Sequence, residues 1–425
     1  MTIRLGRREF LMGSSALAAA AALGVSPAWA QNALRLIFWG GQARADRTYA
    51  VTDAYAAAGN PGVEGEFLSW NDYWPKLATQ TAGGTAPDVI QMDYRFIVEY
   101  ATRNAIAPLD DIIGDLGEFD ADQLEGGKVD GKLYGISLGA NSVAMLANVT
   151  AFEAIGEAVP DNSWTYADIE RLGEAFKAAG NGMAAMSDGS GSEPFLDNWL
   201  RQRGKALYTA EGKLGFDAAD ATEWFAMWNG FREKGYIVSA EDNALDTGAP
   251  ETSMVALKKA ALLPSNSNQL VIHQSVNDDT LTITSYPRIE AGVGGGHYRK
   301  PSMFFSVGGT AAEKQAAADF IRYFVTDPEA GKILGVERGI PCNASVREAI
   351  TPTLDEQSQI ALNFVSNLGD LLGPLPPSPP AAAGEIDTSL LRVLSQEVGF
   401  GGRSAEDAGQ FFVDEATAIL NRAAS

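Results

Sequence analysis

The sequence predicts an α/β fold in which a parallel sheet carries helices on its faces. Two observations lead there. Between residues 34 and 92, apolar strand-like runs alternate with helix-like segments, the signature of parallel βαβ units. And a chain of 425 residues, 46% hydrophobic and 20% charged, holds two or three domains' worth of core, because single cores stop growing near roughly 250 to 300 residues.

Leu34 to Trp39 (LRLIFW) reads as a buried strand closed by Gly40 and Gly41. Asp46 to Ala58 carries helical periodicity, Val63 to Phe67 reads as a second strand, and a helix is expected from Trp70 to about Ala82 with Asn71 as its cap. The glycines and proline of GGTAPDVIQMD then precede a third buried strand, Asp88 to Met92. In open parallel sheets, ligands collect beyond the carboxyl ends of the strands. Trp39 to Gln42 and Asp93 to Arg95 lie at such ends and are the first candidate site residues.

In KVDGKLYGI, Asp130 and Gly131 form a two-residue hairpin turn. Gly126, Gly131 and Lys132 also satisfy the GxxxxGK spacing of a phosphate loop, but Leu133 stands where Ser or Thr is needed and no helix follows. Ser163 is expected to cap a helix over Trp164 to Ala179, and further helices are predicted at Pro194 to Arg203, Ala218 to Lys234 and Thr310 to Phe324. Two Gly/Ser/Asn-rich stretches, PSNSNQ (Pro264 to Gln269) and GVGGGH (Gly292 to His297), read either as surface loops or as loops lining a ligand. PLPPSPP, Pro374 to Pro380, is stiff and extended, a spacer inside the fold or a strap across it. Ser404 to Ala424 is an amphipathic helix.

Composition removes whole classes of function. With 32 Lys+Arg against 54 Asp+Glu, the net charge of −22 repels a phosphate backbone, so no nucleic-acid partner is expected. His273, His297 and Cys342 are the only histidines and cysteine, too few for a Cys/His zinc site, a disulfide framework or a redox pair. No metal, no cofactor and no catalytic residue is assigned. At the N-terminus, RREFL (Arg7 to Leu11), an Ala/Gly/Ser-rich run to Val25, and Ala28, Trp29 and Ala30 before Gln31 read as a twin-arginine-type signal peptide over residues 1–30. The mature protein is therefore expected in the periplasm.

A strand ending in FWGG, then YWPKLATQTAGGTAPDVIQMD, APLDDI, GKLYGI, NSWTYADIERL, TDPEAGKIL and RGIP follow in order. Together with the export signal, they resemble the extracellular solute-binding proteins of bacterial ABC importers, the maltose-type, family 1 sugar-binding branch. The resemblance implies a two-lobe periplasmic-binding-protein fold, type II-like. Each lobe would be a mainly parallel sheet flanked by helices, with several hinge crossings and a ligand held between lobes. It places residues 32–137 plus 287–325 in the N-terminal lobe and 138–286 plus 326–425 in the C-terminal lobe.

A sugar is gripped by aromatic rings on its C–H faces and by planar polar side chains at its hydroxyl rim. In the family's pattern the polar contacts fall on Gln42, Asp93 and Arg95, with Asn141 just beyond the first crossing, where maltose-type proteins carry a carboxylate. Trp39, Trp70 and Trp199 are candidate platforms, Trp70 and Trp199 being equally readable as core. Asn266 and Asn268 stand where relatives carry a contact loop, His297 is a candidate rim residue, and Arg338 either lines the cleft or satisfies a helix end. The implied function is a monomeric periplasmic receptor that captures a mono- to oligosaccharide and delivers it to the membrane permease subunits of an ABC transporter. The alternatives are the same role for a sulfonated or phosphorylated sugar, a polyol or a polyamine, and an exported glycosidase. Arg95, Arg288, Arg299 and Arg338 would serve an anion if several converged, whereas a polyamine requires converging acids.

Overall fold

The computed structural model describes residues 33–380 and 382–424, so the expected leader and its cleavage point lie outside the described residues. The chain opens as β1 (Leu34–Trp39), α1 (Gln42–Ala57), β2 (Val63–Leu68), α2 (Trp70–Ala82) and β3 (Val89–Met92), followed by short strands β4 (Ile106–Ala107) and β5 (Ile136–Ser137). A second sheet then takes β6 (Val143–Asn148), β7 (Ala184–Met186), β8 (Ala260–Asn266) and β9 (Leu281–Thr284), and the chain returns to the first sheet as β10 (Phe304–Gly308).

The first sheet has the order β2-β1-β3-β10-β4, with β5 also on β10. β1 is parallel to β2 and β3, whereas β10 is antiparallel to β3, β4 and β5. The second sheet has the order β7-β8-β6-β9, where β7 and β8 are parallel and β6 runs against both β8 and β9. Each sheet thus holds one reversed strand, and that strand is the first to arrive after the chain crosses between sheets. α3 (Tyr166–Ala179), α4 (Glu193–Gln202) and α5 (Ala218–Lys234) contribute to the second core. α6 (Lys314–Thr326) and α7 (Pro328–Leu334) pack on the first core, and the terminal α8 (Ala405–Ala424) lies along α5.

Two caps differ from the sequence expectation. Ser69 rather than Asn71 caps α2, its hydroxyl accepting the Asp72 N–H at 3.3 Å. Thr165 and Asp168 form the reciprocal capping box of α3 in place of Ser163. Trp164 stays outside that helix because its ring is buried and its indole N–H donates to the Ser285 carbonyl at 2.9 Å.

Two cores result. One gathers Ile37, Phe38, Ile90, Phe304, Phe305 and Phe320, the other Phe152, Phe176, Phe195, Trp224 and Trp228. The segments that join them run side by side. The Leu138 N–H donates to Met303 O at 2.9 Å and the Ser302 N–H to Gly139 O at 2.8 Å, while Ala140 and Ile340 exchange bonds of 2.8 and 2.9 Å. Residue 139 must be glycine there, since a Cβ would stand 2.3 Å from the Arg338 carbonyl oxygen.

Core packing divides the chain differently from the expected boundaries at 287 and 325. Tyr286 and Ile289 belong to the second core, and Arg288 is tied to Asp370 by bonds of 2.9 and 3.0 Å, so the returning segment enters the first core at Met303. Past residue 325, Ala330 of α7 is still buried in the first core.

Candidate functional site

A cavity of about 150 Å³ lies between the two cores. Asp93, Tyr94 and Arg95 enter it from the turn after β3, and Glu193, Asp197 and Tyr208 from the other side. Tyr298 and Lys300, from the returning crossing, also line it. Glu193 and Asp197 fall four residues apart on α4, hence on one helix face. The Asp93 carboxylate accepts the Arg95 backbone N–H at 2.9 Å and stands 3.8 Å from the Arg95 guanidinium, which is largely exposed.

Burial dominates the electrostatics. It pushes the Glu193 carboxyl up to about 7, helped by the negative charges of Asp387 and Asp197. It pushes Asp197 up to about 6 against the opposing pull of Arg201. The Tyr208 and Tyr298 phenols are raised for the same reason. Tyr208 Oη is buried beside the Glu193 carboxyl and has no other hydrogen-bond partner among the described residues.

PLPPSPP proves to be the strap. Its root is pinned to the second core by the Gly373 N–H on the His297 carbonyl at 2.8 Å and by the Arg201 guanidinium on the Pro374 carbonyl at 2.5 Å. Its middle reaches the first core, where the Tyr94 hydroxyl donates to the Pro376 carbonyl at 2.8 Å. Pro376, Pro377 and Pro379 thereby close one wall of the cavity.

A second groove, of about 530 Å³, holds Asn141, Ser267 and Asn268 opposite Arg47 of α1 and Glu337. The candidate residues therefore separate into groups. Asp93 and Arg95 meet in the first cavity, Asn141 and Asn268 in this groove. Gln42 and Asn266 are exposed and line neither; Gln42 spends its amide on Asp46 at 2.7 Å.

The aromatic candidates pack mainly inside the protein. Trp39 is buried with its ring edge-on to Trp70 at 5.1 Å, and Trp70, 38% exposed, is the open end of that stack. Trp199 is 2% exposed, packed on Trp224 and covered by the Arg203 guanidinium at 4.1 Å, so it reaches neither cavity.

His297, expected at a rim, is buried in the second core with Nε2 accepting the Tyr286 N–H at 3.2 Å, and burial pushes it down to about 3. The glycines before it serve the protein's own chain rather than a ligand: a Cβ at Gly294 would lie 2.0 Å from the Asp370 carbonyl oxygen. Arg338 is buried over the Phe38 and Phe324 rings, donates to Thr48 Oγ1 at 2.8 Å, and is lowered by burial to about 9. The four candidate arginines do not converge. Arg288 pairs with Asp370, Arg299 with Asp120 and Asp122, and Arg338 with Glu337, leaving Arg95 alone in the cavity.

Sequence reasoning missed Glu193, Asp197, Tyr208, Tyr298 and Lys300. The EPFLDN segment carries a signal, two carboxylates at helical i,i+4 spacing, just before the Trp199 that reads as a platform. Nothing in sequence order tied Tyr298 or Lys300 to that helix.

Two α/β bodies, each with one reversed strand, joined by adjacent crossings and enclosing a cavity lined by charged, tyrosine and proline side chains, define a two-lobe solute-binding fold. The chain belongs to the bacterial extracellular solute-binding protein family, whose model matches residues 50–361. It is similar to a family 1 extracellular solute-binding protein from Alicyclobacillus acidocaldarius, with 28% identity and a TM-score of 0.82 over 91% of this chain and 98% of that one. It shares its fold with a periplasmic oligogalacturonide-binding protein from Yersinia enterocolitica, at 20% identity and a TM-score of 0.78 over 92% of this chain and 100% of that one. Curated relatives described as binding proteins in Brucella abortus and Brucella suis are 31% identical over 111 residues, 25% of this chain, and the match spans only 27% of their length. Among the described residues no helix is long and apolar enough to cross a membrane.

Proposed function

We propose that this chain is a periplasmic carbohydrate receptor of an ABC importer, exported by the twin-arginine route and monomeric. It captures its solute between the lobes and presents the closed form to the membrane permease subunits, without catalysis. The observation that supports this reading best is the cavity between the cores, lined by Asp93 and Arg95 on one side and by Glu193, Asp197 and Tyr208 on the other. Forked carboxylate and guanidinium groups match adjacent sugar hydroxyls, and the Tyr208 and Tyr298 rings supply faces for C–H packing. Lobe closure acts as a population shift, since contacts from both walls form together only when the lobes approach.

Calorimetry and thermal shift with a carbohydrate panel test the reading. Binding of at least one sugar with a rise in Tm is expected; no heat and no shift with any of them would refute it. Turnover of chromogenic glycosides would instead establish a glycosidase, the reading that two carboxyl groups with raised pKa values in one cavity would otherwise favour.

A further inference from the structure

Two of the carboxyl groups lining the interlobe cavity, Glu193 and Asp197, enter no ion pair among the described residues, although Arg95 and Lys300 line the same cavity. Elsewhere in the same lobe, buried carboxylates are neutralised: Asp188 pairs with Arg232, and Asp220 with Lys205 at 2.5 Å. Glu193 and Asp197 form no ion pair among the described residues, although Asp197 is 8% exposed and both face the cavity. The charged groups around Glu193 are mostly of its own sign, Asp387 and Asp197, opposed by the Tyr208 hydroxyl and by Lys300. Arg201 is the cation nearest in influence to Asp197, but its guanidinium is committed to the carbonyls of Gly296 at 3.1 Å and Pro374 at 2.5 Å and lies over the Tyr298 ring. The Tyr208 hydroxyl, 94% buried by residue and lining the same cavity, interacts with the Glu193 carboxyl and has no other hydrogen-bond partner among the described residues.

Desolvated carboxyls held near one another are costly unless protonated or neutralised. A bound cation removes that cost and satisfies both acids with charge-assisted hydrogen bonds. We propose that the solute carries a primary ammonium that docks between Glu193 and Asp197, its hydroxyl-bearing body lying between Tyr208 and the Asp93/Arg95 wall. This rests on the receptor reading and names the solute class within it, an amino sugar rather than a neutral or acidic one. Docking draws both acids to their ionised forms and releases the protons they carry to solvent.

Isothermal titration of the full mature chain at pH 7.0 with glucosamine and galactosamine, their N-acetyl forms, the parent hexoses, galacturonate and putrescine tests it. A hexosamine is expected to bind at least tenfold more tightly than its hexose and N-acetyl counterparts. In buffers of different ionisation heat, the titration should register proton release at pH 6. Glu193→Gln and Asp197→Asn, each shown folded by its thermal transition, should collapse the hexosamine preference to less than threefold. A hexose or uronate that binds as tightly as any hexosamine overturns the ammonium site and leaves the carbohydrate receptor standing. Binding of putrescine alone keeps the ammonium site and overturns the carbohydrate reading. Binding by none of them overturns both, and a preference that survives both substitutions overturns the docking position.

Discussion

The Tyr94 hydroxyl donates to the Pro376 carbonyl at 2.8 Å, and the Ser378 hydroxyl donates back to the Tyr94 carbonyl at 3.3 Å. Tyr94 belongs to the first core and the strap is rooted in the second, so this reciprocal pair spans the cleft. The lobes cannot separate at this edge while both bonds persist. Proline gives the strap its reach, since an extended segment with few accessible conformations loses little entropy in bridging the gap.

Tyr94→Phe removes the donor and keeps the ring. A buried neutral hydrogen bond contributes about 1 kcal/mol, so solute release should quicken about fivefold. Stopped-flow tryptophan fluorescence measures the rate; an unchanged off-rate would show that the strap does not restrain opening.

Glu193 makes the empty receptor less stable as pH rises. Its folded value, about 7, lies above the ordinary glutamate value of 4.5, so the folded state holds more protons in that window and stability falls as pH climbs through it. Glu193→Gln should flatten the loss, a difference on the order of 1 to 3 kcal/mol between pH 5 and pH 8. Urea unfolding at a series of pH values reads this directly, and parallel profiles for the two proteins would contradict it.

His297 has the opposite sign. Burial holds it at about 3 against 6.5, so the unfolded chain takes up the proton first and stability is lost as pH falls from 6.5 towards 3. His297→Gln should shift acid unfolding to lower pH, provided the amide keeps the bond from the Tyr286 N–H. Circular dichroism against pH tests it, and an acid midpoint at or above that of the parent would count against the assignment. Over pH 4.5 to 6.5 the two effects oppose one another, which is why each is read from its own variant.

Gly139→Ala forces a methyl group to within 2.3 Å of the Arg338 carbonyl where two crossings touch. Strain there should cost about 2 kcal/mol or more and lower the thermal midpoint by several degrees. Differential scanning calorimetry checks it; a midpoint within one degree of the parent would mean that the crossings separate without strain.

The local architecture was legible along the chain. LRLIFW, the DVIQM strand, the Asp130–Gly131 turn and the Ala218–Lys234 helix stand where period and stop signals put them, because short-range sterics and capping govern such elements. The candidate site was only half legible. Asp93 and Arg95 followed from their place after a strand, whereas Trp199 and His297 were drawn into the second core by the burial that any large ring gains.

By itself, then, the sequence determined the element types, the acidic balance, the scarcity of histidine and cysteine, and the stiffness of the proline run. Only the tertiary structure decided that this run crosses to Tyr94, that Arg288 and Arg299 are already paired, and that Glu193 and Asp197 face a cavity without an ion-pair partner among the described residues. The physical reason is range. Propensity and periodicity act over a few residues, but burial and charge compensation depend on groups brought together from segments a hundred or more positions apart.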